Sequence, residues 1–377
     1  MGGRTNVPLT IAHLDTGRSW RGGQQQVFLL VRGLARAGIR QVVLAPDGPL
    51  AARLRDEGAS VVAWRPRGDL DLGAAFSAAR AVRGHDVRLV HAHDARSHAV
   101  GWLAARLAGA PAVVVSRRTV FPAGTHPLSR LKYSLPVDRY LAVSASVRAS
   151  LLAAHVPDHR IRVIPSGIEL PGPPDTGSLR RLCGLAERAV VAGVVASLTR
   201  EKGQAVAIEA LALVEDALPA LHLVLIGGGR ERQGLEGRAE QHGIAGRVHF
   251  TGSRDDARAL LRQLDLCLVP SFAEGLGTTA LEAQAEGVPV IASRTGGLPE
   301  VVRDDETGRL VPPGDAVALA AAMAGALAEP ERTRRWVARA REEAARHDVD
   351  RTVRDTIAVY EEILRTPVRL DAPTGRG

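Results

Sequence analysis

Cysteine and aromatic side chains are scarce in this chain, and each scarcity excludes something. Two cysteines, Cys183 and Cys267, in 377 residues are too few for a disulfide framework, and neither sits in a CxxC pair that would suggest a zinc site. Both read as inert core residues. Five Phe, four Trp and three Tyr make up 3% of the chain, too few stacking platforms for a single-stranded nucleic-acid binder. No nucleic-acid partner is expected. No apolar run approaches the roughly 18 residues that span a bilayer, and Met1-Gly2-Gly3-Arg4-Thr5-Asn6 lacks the apolar stretch of a signal peptide. A cytoplasmic location is the expectation.

What is present suffices for two domains with full cores, since 377 residues at 45% hydrophobic and 24% charged far exceed the roughly 150 residues of one typical domain. The net charge of +8 is unevenly spread. Residues 1–170 carry 23 basic and 11 acidic side chains, a balance of +12, and the remainder carries 26 and 30, a balance of −4. A basic first half suits an anionic ligand or a peripheral contact with an anionic inner leaflet. The stretch from Phe121 through Leu128, Arg130, Leu131, Lys132 and Tyr133 is the candidate contact, with an arginine-rich coding bias as the plain alternative.

Short apolar runs at 7–13, 41–44, 60–64, 87–92, 112–116, 140–144 and 162–165 read as buried strands, with helical patterns such as 24–37, 50–57 and 98–107 between them. Strand and helix alternating in this way imply a parallel sheet covered on both faces. Runs at 189–196, 221–226, 247–250, 266–269, 289–292 and 309–311 repeat the plan. Two doubly wound α/β domains follow. They are divided by the Pro- and Gly-rich run 165–175, and after about Asp315 the pattern turns helical to Leu364, with a frayed tail.

In open α/β sheets ligands bind beyond the carboxyl ends of the strands. After the first strand, Gly22-Gly23 opens a helix, an arrangement that lets backbone N–H groups approach a phosphate, or else a flexible turn. After the first strand of the second half comes Ser197-Leu198-Thr199-Arg200-Glu201-Lys202-Gly203, where Lys202 can meet a phosphate as a point charge or stand as a solvated lysine. Pro270-Ser271-Phe272-Ala273-Glu274-Gly275-Leu276-Gly277-Thr278-Thr279-Ala280-Leu281-Glu282 is a glycine-rich loop running into a helix near Thr279. Glu274 there can accept hydrogen bonds from sugar hydroxyls, or stand as a solvated loop acid. Glu282 can hold a ribose, or complete a capping box with Thr279 that needs no ligand.

The segment from Glu274 to Gly314, with Glu274-x7-Glu282, Gly287-Val288-Pro289-Val290, Gly296-Gly297-Leu298-Pro299-Glu300 and Thr307-Gly308-Arg309-Leu310-Val311-Pro312-Pro313-Gly314, resembles the retaining nucleotide-sugar glycosyltransferases of the fourth family. Lys202-Gly203, Ile226-Gly227-Gly228-Gly229, Phe250-Thr251-Gly252 and Ile164-Pro165-Ser166-Gly167-Ile168 fall in the expected order, so the resemblance covers nearly the whole chain. It implies a GT-B fold, two Rossmann-like domains facing across a cleft: 1–168 for the acceptor, 169–347 for the donor, and a helix within 348–377 returning to the first. It implies that Glu274 bonds the donor sugar, Glu282 the ribose and Lys202 the diphosphate. Ser197, Arg200 and the backbone of Gly275, Leu276, Gly277 and Thr278 would line the donor, with Gly22 and Gly23 closing on the phosphate. Same-face attack, a donor phosphate oxygen helping to take the acceptor proton, would retain the anomeric configuration with no protein nucleophile, metal or cofactor beyond the nucleotide sugar.

Two departures stand out. Ser197 occupies the place of a family arginine five positions before the lysine, and Ser116-Arg117-Arg118 replaces a family histidine after the fifth strand. Arg117 and Arg118 then become candidates for a phosphate or carboxylate of donor or acceptor, or for pairing with surface acids. His91-Ala92-His93-Asp94, with His98 nearby, permits a metal reading, but a structural or cleft-lining role is preferred. His93 is a candidate catalytic base; Asp94 and Asp15 are candidates for the acceptor. The resulting expectation is transfer, from a nucleotide diphosphate sugar (UDP favoured), to a glycan or lipid-linked acceptor in bacterial envelope polysaccharide or lipopolysaccharide synthesis. A nucleotide-sugar epimerase of the same fold and a catalytically silent nucleotide-sugar binding protein are the alternatives.

Overall fold

A computed structural model describes residues 9–109, 111–121, 127–172 and 178–365, with the side chains of 127–130 outside it. The end of the interdomain run from residue 173, the tail and much of the candidate membrane stretch lie outside the described residues. The chain divides into two units, Met1–Gly167 with Val349–Gly377, and Ile168–Asp348.

The first unit is built on seven parallel strands: β1 Thr10–Leu14, β2 Arg40–Ala45, β3 Ser60–Ala63, β4 Leu89–Ala92, β5 Ala112–Arg117, β6 Arg139–Ala142 and β7 Ile161–Val163. Runs such as Val113-Val114-Val115 form strands because β-branched residues pack well on a pleated surface buried on both faces. Their order is β3-β2-β1-β4-β5-β6-β7. The chain therefore winds outward one way from β1, then crosses back to β4 and winds the other way, which opens a switch point between the loops that leave β1 and β4.

The C-terminal helix Val349–Leu364 belongs to this unit. Its buried stripe of Val353, Ile357 and Tyr360 recurs every three or four residues and joins Leu29, Leu30 and Leu34 of helix Gly22–Arg36 in one core. The two helices touch closely at Gly33, where an added Cβ would lie 2.4 Å from Val353 Cγ2.

The second unit has six parallel strands: β8 Val190–Val195, β9 Leu221–Ile226, β10 Val248–Gly252, β11 Leu266–Val269, β12 Val290–Ser293 and β13 Arg309–Val311. Their order is β10-β9-β8-β11-β12-β13, so its switch point falls between β8 and β11. Leu223, Leu225, Leu266 and Leu268 of the sheet pack with Ile208 and Leu211 of helix Gln204–Leu213 and Met323 of helix Ala316–Ala328.

One helix start differs from the sequence expectation. The helix expected over 98–107 begins at Ala95, because Asp94 and Ser97 form a reciprocal capping box that starts it earlier. Gly33→Val should destabilise the first unit by about 1–3 kcal/mol, since the helix contact must open to admit the side chain. Chemical denaturation checks this; an unchanged midpoint would contradict the packing.

Candidate active site

At the switch point of the second unit, two loops meet backbone to backbone. Arg200–Lys202 makes a single 3-10 turn closed by Gly203 in the left-handed region, φ 67°, from which helix Gln204–Leu213 starts. A Cβ on Gly203 would lie 1.9 Å from the Pro270 carbonyl oxygen, and one on Gly296 1.9 Å from that of Glu274. No side chain fits at either place. The Phe272 N–H donates to the Glu201 carbonyl at 2.8 Å, and the Gly297 N–H to that of Glu274 at 3.2 Å. The loop after β11 is thus fixed from both sides.

This packing brings Lys202 and Glu274 together. Lys202 Nζ stands 2.6 Å from Glu274 Oε1, and the Ser271 hydroxyl donates to the same oxygen at 3.0 Å. The side chains are 25% and 15% exposed, so the pair is partly shielded yet reachable. Beside them helix Thr278–Glu286 opens on Gly277, φ 96°, with no side chain capping its first N–H groups. The N-terminus of helix Gln204–Leu213 is likewise free of a side-chain cap. Such ends attract anions.

The capping box proposed for Thr279 and Glu282 does not form. The helix starts one residue earlier, at a left-handed cap that glycine alone adopts readily, so Glu282 sits in the second turn, out of reach of the cap. The Thr279 hydroxyl donates instead to the Val195 carbonyl at 3.3 Å. Glu282 is buried near Cys267, whose thiol is pushed up to about 12 by burial first and by the Glu282 charge second. Arg200 is exposed, the Ser197 carbonyl accepts from Gln204 Nε2, and Leu276 is buried.

The switch point of the first unit holds a different kind of network. Asp15 is buried and accepts from the Gly17 N–H at 2.8 Å and from Gln24 Nε2 at 3.1 Å; burial first, then the Asp94 charge, raises its pKa. Asp94 accepts from the Thr16 N–H and hydroxyl as well as from the N–H groups of Arg96 and Ser97. Its carboxylate is therefore engaged as a helix cap and loop tie in the first unit. Helix Gly22–Arg36 opens on Gly22 and Gly23 without a side-chain cap, and a Cβ on Gly23 would meet nothing within 4 Å.

His93 is buried in a network that engages both its ring nitrogens. Arg118, which only donates, lies 3.3 Å from His93 Nδ1, so that nitrogen accepts and Nε2–H donates to His13 Nδ1 at 2.9 Å. His91 Nδ1 pairs with the Tyr360 hydroxyl at 2.6 Å and Nε2 with the Ser116 hydroxyl at 2.8 Å. Ring nitrogens of His13, His91 and His93 lie within 4.8 Å of one another, close enough for a cation. The donor set argues against one: a guanidinium faces His93, and both His91 nitrogens have hydroxyl partners. Burial holds all three imidazoles neutral, His13 lowered to about 3 and the others well below their ordinary value. His13 and Tyr360 escaped the sequence reading, because their adjacency to His91 and His93 arises only when β1, β4 and the C-terminal helix assemble.

Arg118 has acidic neighbours in Asp15 and Asp94, and burial lowers it to about 10, still protonated at neutral pH. Arg117 is buried among Phe121 and Tyr133, its Cζ 4.6 Å and 5.8 Å from their ring centroids.

Two family models match. "Glycosyltransferase Family 4" covers residues 20–170 and "Glycosyl transferases group 1" covers 179–343. The 2-deoxystreptamine glucosyltransferase of Streptomyces kanamyceticus is 30% identical over 362 residues, 84% of this chain and 94% of that protein. The chain belongs to the family 4 glycosyltransferases. Another relative, the D-inositol 3-phosphate glycosyltransferase of Salinispora tropica, is 33% identical over 76% of this chain and 65% of its own length. This chain thus spans just under two thirds of that relative. In fold this family 4 glycosyltransferase is similar to Anabaena Alr3699/HepE in complex with UDP-glucose, with a TM-score of 0.85, 22% identity, and 94% and 100% of the two chains covered. Its two parallel Rossmann-like sheets are those of the GT-B class.

The buried histidines give this family 4 glycosyltransferase a predictable acid response. His13, His91, His93 and His98 all resist protonation when folded, whereas unfolded imidazoles bind protons near pH 6.5. Below about pH 6.5 the unfolded chain gains protons that the folded chain refuses, so stability falls as pH drops, by about 1.4 kcal/mol per unit for each such histidine. Urea midpoints between about pH 7.5 and 5 should decline steadily; a flat profile would contradict the neutral histidine core.

Proposed function

We propose that this chain is a retaining glycosyltransferase that moves a sugar from a nucleoside diphosphate sugar to a hydroxyl of a glycan or lipid-linked acceptor, serving bacterial envelope polysaccharide or glycolipid synthesis. The observation that carries the reading is the Lys202–Glu274 pair at the β8/β11 switch point, between two helix N-termini without side-chain caps. In the free chain each charge compensates the other. With a donor bound, Lys202 turns to the diphosphate and Glu274 accepts hydrogen bonds from the sugar hydroxyls, while the helix ends stabilise charge developing on the leaving phosphate.

The loop backbones and helix starts that carry these groups are fixed before the reaction, so charge stabilisation requires little reorganisation and no metal ion. The commitment of His93 to Arg118 and His13 supports a mechanism in which a donor phosphate oxygen, not an imidazole, takes the acceptor proton. Attack from the face that the leaving group departs then retains the anomeric configuration. A UDP-sugar donor is supported by the likeness in fold to HepE, which forms a complex with UDP-glucose. The names of the two relatives each give a polyhydroxylated six-membered carbocycle as acceptor, which supports a hydroxyl acceptor here. Among the described residues no helix is long and apolar enough to cross a membrane. The basic first half supports a peripheral contact with anionic lipid, near Leu131, which is 59% exposed.

Purified chain supplied with UDP-, GDP- and ADP-sugars and a panel of polyol and glycolipid acceptors should form product or slowly hydrolyse one donor. Glu274→Ala and Lys202→Ala should each lower kcat/KM by about 10²–10³-fold. A Glu274→Ala variant as active as wild type would contradict the site. EDTA should leave the rate unchanged; a loss restored by magnesium would overturn metal independence. Donor isomerised without an acceptor would indicate an epimerase, against this reading.

A further inference from the structure

Arg117, the last residue of β5, and Arg118 just after it differ in one respect that the transferase reading does not use. Arg118 has Asp15 and Asp94 as charge partners and His93 as a hydrogen-bond acceptor. Arg117, 6% exposed, makes no hydrogen bond or ion pair through its guanidinium to any described residue, and its Nε is sealed from solvent with no acceptor. Residues 122–130, which follow Phe121, contain no acidic side chain. The nearby carboxylate of Asp69 is engaged by Lys132 at 2.8 Å.

Two aromatic rings are what Arg117 has instead. Phe121 and Tyr133 stack with centroids 5.1 Å apart, and the guanidinium lies over both. Ring faces offset only part of what a guanidinium loses on leaving water. A second group with an unused nitrogen lies beside Tyr133, ring centroids 5.6 Å apart. His98 is fully buried; its Nε2 pairs with the Tyr140 hydroxyl at 3.2 Å, its Nδ1 has no partner, and the charges of Arg117 and Lys132 help hold it neutral. If the tyrosine hydroxyl donates, His98 Nδ1 carries the hydrogen and is a second unused donor beside the arginine.

We propose that Arg117 and His98 form an anion subsite at the carboxyl end of β5, which seats a phosphate or carboxylate group carried by the acceptor. The subsite stands on the Arg117 guanidinium and the His98 Nδ1, neither of which has a hydrogen-bond partner among the described residues; assigning its occupant to the acceptor rests on the proposed transferase reading. The planar fork of Arg117 presents parallel N–H donors to two oxygens of such a group, and the rings hold the fork in place. An acceptor with the anion would be preferred over its neutral counterpart.

The test uses the full chain with Lys202→Ala, so that the diphosphate site of the second unit does not contribute. Inorganic phosphate and, separately, acetate are titrated at constant ionic strength while Tm is followed. One or both should raise Tm saturably, the stronger naming the favoured anion. Arg117→Met should raise Tm without anion, because an uncompensated buried charge is gone, and should abolish the anion response. Arg117→Lys, which keeps the charge but loses the fork, should weaken the response at least about tenfold, and decides the matter if the methionine variant does not fold. Tm indifferent to both anions, or a response that survives in the Arg117 variants, overturns the subsite. UDP-glucose binding by the Lys202 wild-type chain is read separately, so failure of the donor reading is told apart from failure of this one.

Discussion

Everything placed at the two candidate sites depends on one topological constraint, the reversal of strand order within each parallel sheet. A parallel sheet buries both faces and commits its backbone to ladders, leaving the carboxyl edge as the place where side chains can converge on a ligand. Because β1 is flanked by β2 and β4, and β8 by β9 and β11, the loops leaving the central strands turn opposite ways and leave a gap. The Asp15, Thr16 and Asp94 network occupies one gap, and the Lys202–Glu274 pair the other.

The two gaps are filled by opposite electrostatic strategies. In the second unit charges are retained and shielded: a lysine and a glutamate sit between helix ends without side-chain caps, on loops whose backbones approach so closely that Gly203 and Gly296 cannot carry a Cβ. In the first unit burial drives charge away, and a row of neutral imidazoles passes hydrogen bonds from Arg118 through His93 to His13, with His91 tied to Tyr360. A preorganised ionic site suits stabilisation of a departing diphosphate. A neutral, rigid core beneath an arginine suits holding that arginine in a fixed position.

Much of the fold was legible in the sequence because its signals are local. Apolar β-branched runs such as 112–116 mark strands, and the glycine motifs mark loops where backbones must meet. The site was legible in part. Lys202 and Glu274 stand 72 positions apart, and the resemblance to a family, rather than spacing, put them in one place. The capping role of Asp94 went unseen because the Asp-x-x-Ser box spans only four residues amid histidines that suggested chemistry. The apparent Thr279–Glu282 capping box was a sequence match without the backbone to support it, since Gly277 sets the helix start. Tyr360 was out of reach, because its partner His91 lies 269 positions away.

If the second unit holds the nucleoside diphosphate at the β8/β11 switch point, bound phosphate must protect the amides that face it. Hydrogen–deuterium exchange of the full chain with and without UDP reads this without requiring an acceptor or turnover. Slowed exchange is expected to concentrate in residues 200–206 and 274–281, the two loop-to-helix starts. Saturating UDP that leaves both segments unchanged, or protects the β10 edge of the sheet instead, is incompatible with a diphosphate site there.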